Sequence, residues 1–288
     1  MMSEPTHRSW QSAGLTLHYV AWGDPAAPLV VIHHGWLDQS RSWDPIAARL
    51  SERYRVVVVD ARGHGDSEWV GLGASYYFPD YLLDLHHLLD TLGATGPVRL
   101  VGHSMGGSVM AYFAGAFPER VSHLVLCEGF GPPAEGTDVA IARLQGFVST
   151  TSAAYSSRAP EVMDSLEQAV RRLRRADSLL PEETARRVAP HATRPVPGGL
   201  AWKYDPLHRA RIGTAFHVET AIALWQRITA PVLALDGAKS AFQWPDLPAR
   251  RAAIPTLERR VLPNSGHNLH VHEPDAVADA ILAHLDKT

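Results

Sequence analysis

The stretch Val98-Arg99-Leu100-Val101-Gly102-His103-Ser104-Met105-Gly106-Gly107 decides how this chain is read. Val98, Leu100 and Val101 form a short apolar run of the kind buried strands carry, and the run breaks at Gly102. A helical spacing then takes over through Val109, Met110, Phe113, Ala114 and Phe117. Ser104 therefore falls on a strand-to-helix turn, with a glycine two positions to either side. So tight a turn needs neighbours without Cβ, because the backbone is strained and the helix packs close behind it. The helix also aims its free N–H groups and positive dipole end at any anion that forms there. Gly-x-Ser-x-Gly alone is a weak signal. Its setting, and the partners found on either side, make Ser104 a candidate nucleophile.

Upstream, Leu15 to Trp22 alternates as a strand after a polar leader. Leu29-Val30-Val31-Ile32 and Val56-Val57-Val58-Val59 are continuous apolar runs, the mark of parallel strands buried on both faces. The first empties into His33-His34-Gly35-Trp36 and the second into a loop of turn formers at residues 62–67. Helices are expected at residues 43–50 and 77–92. A further buried run, Leu124-Val125-Leu126-Cys127, ends in Glu128-Gly129. Strands alternating with helices predict an α/β fold with a mostly parallel, doubly wound sheet.

The rhythm changes at residue 131 and resumes at Pro231-Val232-Leu233-Ala234-Leu235-Asp236-Gly237. Between these points the helical faces Val162/Leu166/Ala169/Val170/Leu173 and Ala221/Leu224/Trp225 dominate, interrupted by prolines. The expected organisation is a core of residues 1–130 and 230–288 with an inserted helical cap, or lid, at 131–229. The basic run Arg171-Arg172-Leu173-Arg174-Arg175 is flanked by acids and reads as a solvated helix face.

Bulk properties narrow the function classes. An apolar content of 45%, charged residues at 20% and a net charge of −3 describe an ordinary globular protein and give no reason to expect nucleic acid or an anionic membrane as partner. The one cysteine, Cys127, lies in an apolar run and fits a reducing compartment. No secretory leader or membrane-spanning run is evident, so a cytoplasmic location without stable membrane insertion is expected. The oligomeric state is not legible.

A serine hydroxyl needs a base, and the base needs an orienting group. The candidate base is His267, in Gly266-His267-Asn268-Leu269, after the last strand and before the last helix. Two acids compete. Glu128 ends the strand after the elbow helix, and Asp236 ends the strand after the insertion. Glu128 is preferred. Backbone N–H groups of Met105 and Trp36 are the candidate oxyanion donors. Aromatic residues such as Phe130 and Trp202, together with His34, are candidates to line a substrate pocket.

These residues carry a family resemblance. The ordered set His34-Gly35-Trp36, Asp60-x-Arg62-Gly63-His64-Gly65-x-Ser67, Gly102-x-Ser104-x-Gly106-Gly107, Phe117-Pro118-Glu119-Arg120-Val121 and Gly266-His267 resembles the α/β-hydrolase fold superfamily over residues 15–129 and 231–285. Within it, His34-Gly35-Trp36-Leu37-Asp38-Gln39, Glu128-Gly129-Phe130-Gly131-Pro132 and Trp202-x-x-Asp205-Pro206 look most like the serine hydrolase-like proteins. The resemblance implies a helical cap over the site and acyl transfer to water through a serine ester, with no cofactor or metal. Many members carry the acid just past the glycine after the late strand, where this chain has Gly237-Ala238-Lys239-Ser240. Others carry it at the place of Glu128.

The expected function is hydrolysis of a small or medium apolar carboxylic ester through an acyl-enzyme at Ser104. Carbon–carbon hydrolysis and perhydrolysis use the same triad and stay open. An aspartate at the elbow would have pointed to epoxide hydrolase or dehalogenase chemistry. A receptor-like binding protein with little turnover is the reading from another class. The discriminating feature is a carboxylate within about 2.6–3.2 Å of one His267 ring nitrogen while the other faces Ser104. The spacing His267-x-x-His270-x-His272 is set aside as a metal site, because the sequence offers no ligand framework around it.

Overall fold

A computed structural model describes residues 4–156, 159–210 and 213–287. In chain order the strands are β1 (Thr6–Ser12), β2 (Leu15–Trp22), β3 (Leu29–His33), β4 (Arg55–Asp60), β5 (Val98–His103), β6 (Val121–Cys127), β7 (Val162–Met163), β8 (Thr193–Val196), β9 (Gly199–Trp202), β10 (Val232–Gly237) and β11 (Leu257–Leu262). The helices are α1 (Asp44–Leu50), α2 (Phe78–Thr91), α3 (Met105–Ala116), α4 (Ala140–Ser156), α5 (Leu166–Ala176), α6 (Glu182–Ala192), α7 (Val218–Trp225), α8 (Leu247–Ala252), α9 (Leu269–His272) and α10 (Pro274–Leu285). Eight strands form one sheet in the order β1-β2-β4-β3-β5-β6-β10-β11. The β1–β2 and β2–β4 pairs are antiparallel, and every later pair is parallel.

The all-apolar strands follow from burial on both faces. Val31, Val57, Leu100, Leu124, Leu126, Val232 and Ala234 pack against α2 and α3 through Leu88, Leu89, Met110 and Phe113. Their alternates Val30, Ile32, Val56, Val58, Val101, Val125, Leu233 and Leu235 pack against α1 and α10 through Ile46, Leu50, Val277 and Ile281. Parallel strands β6 and β10 are neighbours although about a hundred residues of chain separate them. Every strand from β3 onward that belongs to the large sheet therefore delivers its C-terminal loop to one edge, where ligands collect in open α/β sheets.

Two expectations are amended. The polar leader is a strand: β1 pairs with β2 over its whole length, Thr6 opposite Ala21 through Ser12 opposite Leu15. It looked like leader because five of its seven residues are exposed at the edge of a sheet. The insertion is not purely helical either. It carries a three-stranded antiparallel sheet in the order β7-β9-β8, whose strands of two to four residues are too short to show a period of two. Met163, Ala169, Val170, Leu180, Ala185 and Ala189 give this part a small core of its own, which Val271 of α9 joins. Helix α7 falls within residues 131–229, yet Ala221 and Trp225 are buried in the core layer beside α3. Among the described residues, no helix is long and apolar enough to cross a membrane.

Four buried histidines make the core acid-sensitive. Burial, with His34 beside it, lowers His33 to about 3. Burial also lowers His64, with His208 and His34 adding to the effect, and His103, with His270 and His267 adding to it. In His270 burial outweighs the opposing pull of Asp38. A histidine with a folded value below its unfolded value near 6.5 gives stability that is full above about 6.5. That stability is lost as pH falls toward the folded value, because only the unfolded chain takes up the proton. His33 alone is expected to remove about 2 kcal/mol between pH 6.5 and 5, and the other three act in the same direction. Denaturant midpoints at pH 7, 6 and 5 should fall steeply; a flat profile would contradict it.

Candidate active site

Ser104 occupies the turn between β5 and α3 with φ 51° and ψ −113°. Non-glycine residues rarely take positive φ, and holding one there costs on the order of 1–3 kcal/mol. Among the described residues four non-glycines do so: Ala13, Leu37, Ser104 and Glu128. Three of these four belong to the same small region. The Ser104 N–H donates to the Cys127 carbonyl at 2.9 Å, tying the turn to the neighbouring strand. Gly106 is required by close approach, since a Cβ there would strike the backbone carbonyls of His33 and His34.

His267 sits on the loop between β11 and α9. Its Nε2 lies 2.9 Å from Ser104 Oγ, and its Nδ1 lies 3.4 Å from Glu128 Oε2. The second distance is longer than the expected 2.6–3.2 Å, as catalytic hydrogen bonds often are before substrate binds. Glu128 follows β6 immediately, with its carboxylate buried at 4% exposure. The Gly237 N–H donates to Oε1 at 2.8 Å and the Ser240 hydroxyl donates to Oε2 at 2.8 Å. The Phe242 N–H in turn donates to Ser240 Oγ at 3.1 Å. Ser240, at the place where the family resemblance led to an acid being sought, thus holds the carboxylate that follows the adjacent strand. Gly237 has no room for a side chain, because a Cβ would meet the carbonyls of Ser265 and Gly266 in the His267 loop. The Phe242 ring stacks on the His267 imidazole, centroids 3.8 Å apart and planes 17° from parallel.

The other acid candidate is placed elsewhere. Strand alternation puts Asp236 on the face of Val232 and Ala234, toward α8. There its carboxylate accepts from Arg251 Nη2 at 2.8 Å and Arg259 Nε at 2.5 Å, and no hydrogen bond joins it to His267. Asp236 is a buried ion-pair partner rather than a neighbour of the imidazole.

The loop after β3 lies against the elbow: a Cβ on Gly35 would fall 2.7 Å from His103 Nδ1 and 3.3 Å from Ser104 Cβ. Trp36 in this loop is 54% exposed, and its indole N–H donates to the His208 carbonyl at 3.3 Å. The Leu37 N–H donates to His64 Nε2 at 3.2 Å. Met105 opens α3, so its N–H is one of the groups a helix start leaves unpaired. Asp60 braces the same region, accepting from His18 Nδ1 at 2.7 Å, the Ser40 N–H at 2.6 Å and the Asp66 N–H at 3.0 Å. Arg62 forms a fork with Asp84 at 2.6 and 2.7 Å and reaches Asp80 at 2.8 Å, fixing α2 to the loop after β4.

The three pocket candidates do not converge on Ser104. His34 is fully buried, its Nε2 accepting from the Ala61 N–H at 3.0 Å, so it braces the loop from beneath. Phe130 is in the core, edge-on to Trp225 at 6.0 Å and under the Arg251 guanidinium at 5.6 Å. Trp202 stacks on Tyr204 at 6.2 Å and packs on the small core of the insertion. Phe130 lies three residues past β6 and Trp202 is the last residue of β9, and the contacts of both rings are packing contacts. The apolar surface beside the imidazole comes instead from Phe242, 45% exposed, and Leu179, whose side chain reaches Gly266. Neither carried a signal in the sequence.

Histidines 267, 270 and 272 point to different partners. His270 Nε2 lies 3.2 Å from Asp38 Oδ2 and its ring stacks on Trp43 at 4.7 Å, while His272 meets Asp177. Ligand atoms of Asp38, His103 and His270 lie within 4.8 Å of one another, as do those of His7, His18 and Asp66. In the first group His103 Nε2 donates to the His267 carbonyl at 2.9 Å, leaving its Nδ1 lone pair toward Gly35.

A strained serine at a strand–helix turn, an imidazole on its hydroxyl and a braced carboxylate beyond are arranged as nucleophile, base and orienting acid are in hydrolases of this architecture. The chain belongs to the α/β-hydrolase fold family, which its sequence matches over residues 28–274. It is similar to a serine hydrolase-like protein of Danio rerio, 28% identical over 270 residues, spanning 90% of this chain and 82% of that one. A bifunctional esterase/perhydrolase of Acinetobacter calcoaceticus is 37% identical over 121 residues, 41% of this chain and 43% of that protein. Among solved structures it resembles a thioesterase domain from the curacin biosynthetic pathway, with a TM-score of 0.87 and 28% identity over 98% of this chain and 100% of that one.

Proposed function

We propose that this hydrolase cleaves carboxylic esters of apolar acids through a covalent acyl-enzyme at Ser104. The contact chain Ser104 Oγ–His267–Glu128 carries the reading. In the proposed first step His267 Nε2 takes the hydroxyl proton as Oγ bonds to the carbonyl carbon. The oxyanion is held by the N–H groups of Trp36 and Met105, and the imidazolium is stabilised by Glu128. Collapse breaks the bond to the leaving alcohol, which receives the proton from His267. Water then repeats the sequence on the acyl-enzyme and releases the acid. Trp36, Phe242 and Leu179 give the rim an apolar character suited to an alkyl or aryl acyl group. The likeness to the curacin thioesterase domain supports thioesters as a second leaving-group class. Perhydrolysis, in which peroxide replaces water at the acyl-enzyme, is the second reading and is favoured by the similarity to the esterase/perhydrolase. A cytoplasmic enzyme is consistent with its buried lone cysteine.

The test is turnover of aryl esters of increasing acyl length, run beside labelling with a fluorophosphonate probe. Labelling at Ser104 with turnover and a chain-length optimum is expected. Labelling without ester turnover would redirect the reading to carbon–carbon or peroxide chemistry. A wild-type chain that neither labels nor turns over would leave a binding protein.

A further inference from the structure

The loop that carries His267 is fastened from the insertion by one carboxylate. Asp177 ends α5, and its Oδ2 accepts from Asn268 Nδ2 at 2.7 Å and from His272 Nε2 at 2.8 Å. With the His272 proton on Nε2, its Nδ1 offers a lone pair, and the Gly266 N–H donates to that nitrogen at 3.1 Å. The two residues flanking His267 in the chain are thus both held, one directly and one through an imidazole. The arrangement is not a surface pairing: the side chain of His272 is 3% exposed and that of Asp177 17%. Burial raises the Asp177 carboxyl, but hydrogen bonds from His272 and Asn268 outweigh it and bring the value down to about 2, so the clamp keeps its charge. Its other oxygen accepts from the Leu179 N–H at 3.0 Å, which fixes the segment whose side chain touches Gly266. On the core side the loop is also braced by the His103 ring nitrogen, which donates to the His267 carbonyl at 2.9 Å, by the Lys239 N–H on the Ser265 carbonyl at 2.9 Å and by the Ser265 hydroxyl on Glu273 at 2.6 Å.

We propose that Asp177 is a positioning residue, contributed by the insertion, that holds the His267 imidazole in register between Ser104 and Glu128. This rests on the serine-hydrolase reading. The register matters because an imidazole displaced by about 1 Å loses on the order of a hundredfold in rate. The insertion is then part of the catalytic machinery as well as a cover: its placement is transmitted to the imidazole through a carboxylate, an amide and a second imidazole.

Three measurements test the inference. In Asp177→Ala, kcat and the rate of fluorophosphonate labelling should fall about 10- to 100-fold with KM within about threefold. Hydrogen exchange of the peptide spanning residues 263–270 should accelerate, because the His272 imidazole that accepts from the Gly266 N–H loses the carboxylate that orients it. Asn268→Ala should show a smaller loss, and the double variant should be no slower than Asp177→Ala, since both residues act through one clamp. If Asp177→Ala fails to fold, Asn268→Ala decides, by the same kcat and exchange readouts. Wild-type labelling rates in both variants, or unchanged exchange, would overturn the inference. A wild-type chain unreactive to the probe would instead sink the serine-hydrolase reading, and exchange alone would then decide whether the clamp exists.

Discussion

Replacing Ser104 with alanine is expected to lower ester turnover by about 10⁵- to 10⁶-fold while leaving the fold in place. The substitution removes one atom, and that atom's hydrogen-bond partner is His267 Nε2. A factor of 10⁵ corresponds to about 7 kcal/mol of activation free energy, far more than any packing change at this position could supply. Alanine inherits the same φ of 51°, so the backbone strain stays and the melting temperature should hardly move. Ser104→Gly makes a useful companion, because it removes the nucleophile and relieves the strain together. It should be equally inactive and more stable by on the order of 1 kcal/mol. Aryl ester turnover and thermal melts of both variants settle the matter. Activity above about one per cent of wild type in either would assign the nucleophile elsewhere.

Glu128→Gln is expected to cost about 10³- to 10⁴-fold in kcat, whereas Asp236→Asn should leave turnover within about threefold. In the native arrangement both Glu128 oxygens accept: one from the Gly237 N–H, the other from the Ser240 hydroxyl and His267 Nδ1. A glutamine has only one acceptor oxygen. If that oxygen keeps the Gly237 N–H, its NH₂ group faces Nδ1 and moves the imidazole proton to Nε2, where it can no longer receive the serine proton. Asp236→Asn removes charge from between Arg251 and Arg259 and should show as lost stability, about 1–3 kcal/mol. Measuring kcat and denaturant midpoints for both variants separates the two roles. The reverse ranking would make Asp236 the acid and require a different conformation of the loop after β10.

The legibility of the sequence tracked burial. Strands β3, β4, β5, β6 and β10 announce themselves because both faces are covered and every position must be apolar. The serine turn was legible because its glycines answer steric demands that few other geometries make. Strand β1 was not, since at the sheet edge it faces water and carries polar residues. The short strands of the insertion gave no periodicity to read, and α7 looked like part of the insertion because sequence order does not report which layer a helix joins. Glu128 could be nominated from its place after β6. What separates it from Asp236 in the structure is strand alternation and the two arginines that hold Asp236, whose positions depend on long-range packing. Ser240 was visible only as a missing acid, although it is a donor to the Glu128 carboxylate. The clamp at Asp177 was hidden for a similar reason: its partners lie about 90 residues away in the chain, and histidines 267, 270 and 272 look like one cluster until the fold separates them.

The pairing of β6 with β10 across the insertion has a cost during synthesis. When β6 leaves the ribosome its free edge, with Leu124, Val125 and Leu126 in line, has to wait for the strand that will cover it. At translation speeds of about 5–20 residues per second, an intervening hundred residues keep that edge bare for about 5–20 s. An uncovered apolar strand is a template for pairing with another chain. The nascent protein is therefore at its most vulnerable to aggregation after six of the eight strands of the large sheet have been made and before the insertion is complete, an interval in which a chaperone that shields strand edges would raise the yield of folded enzyme.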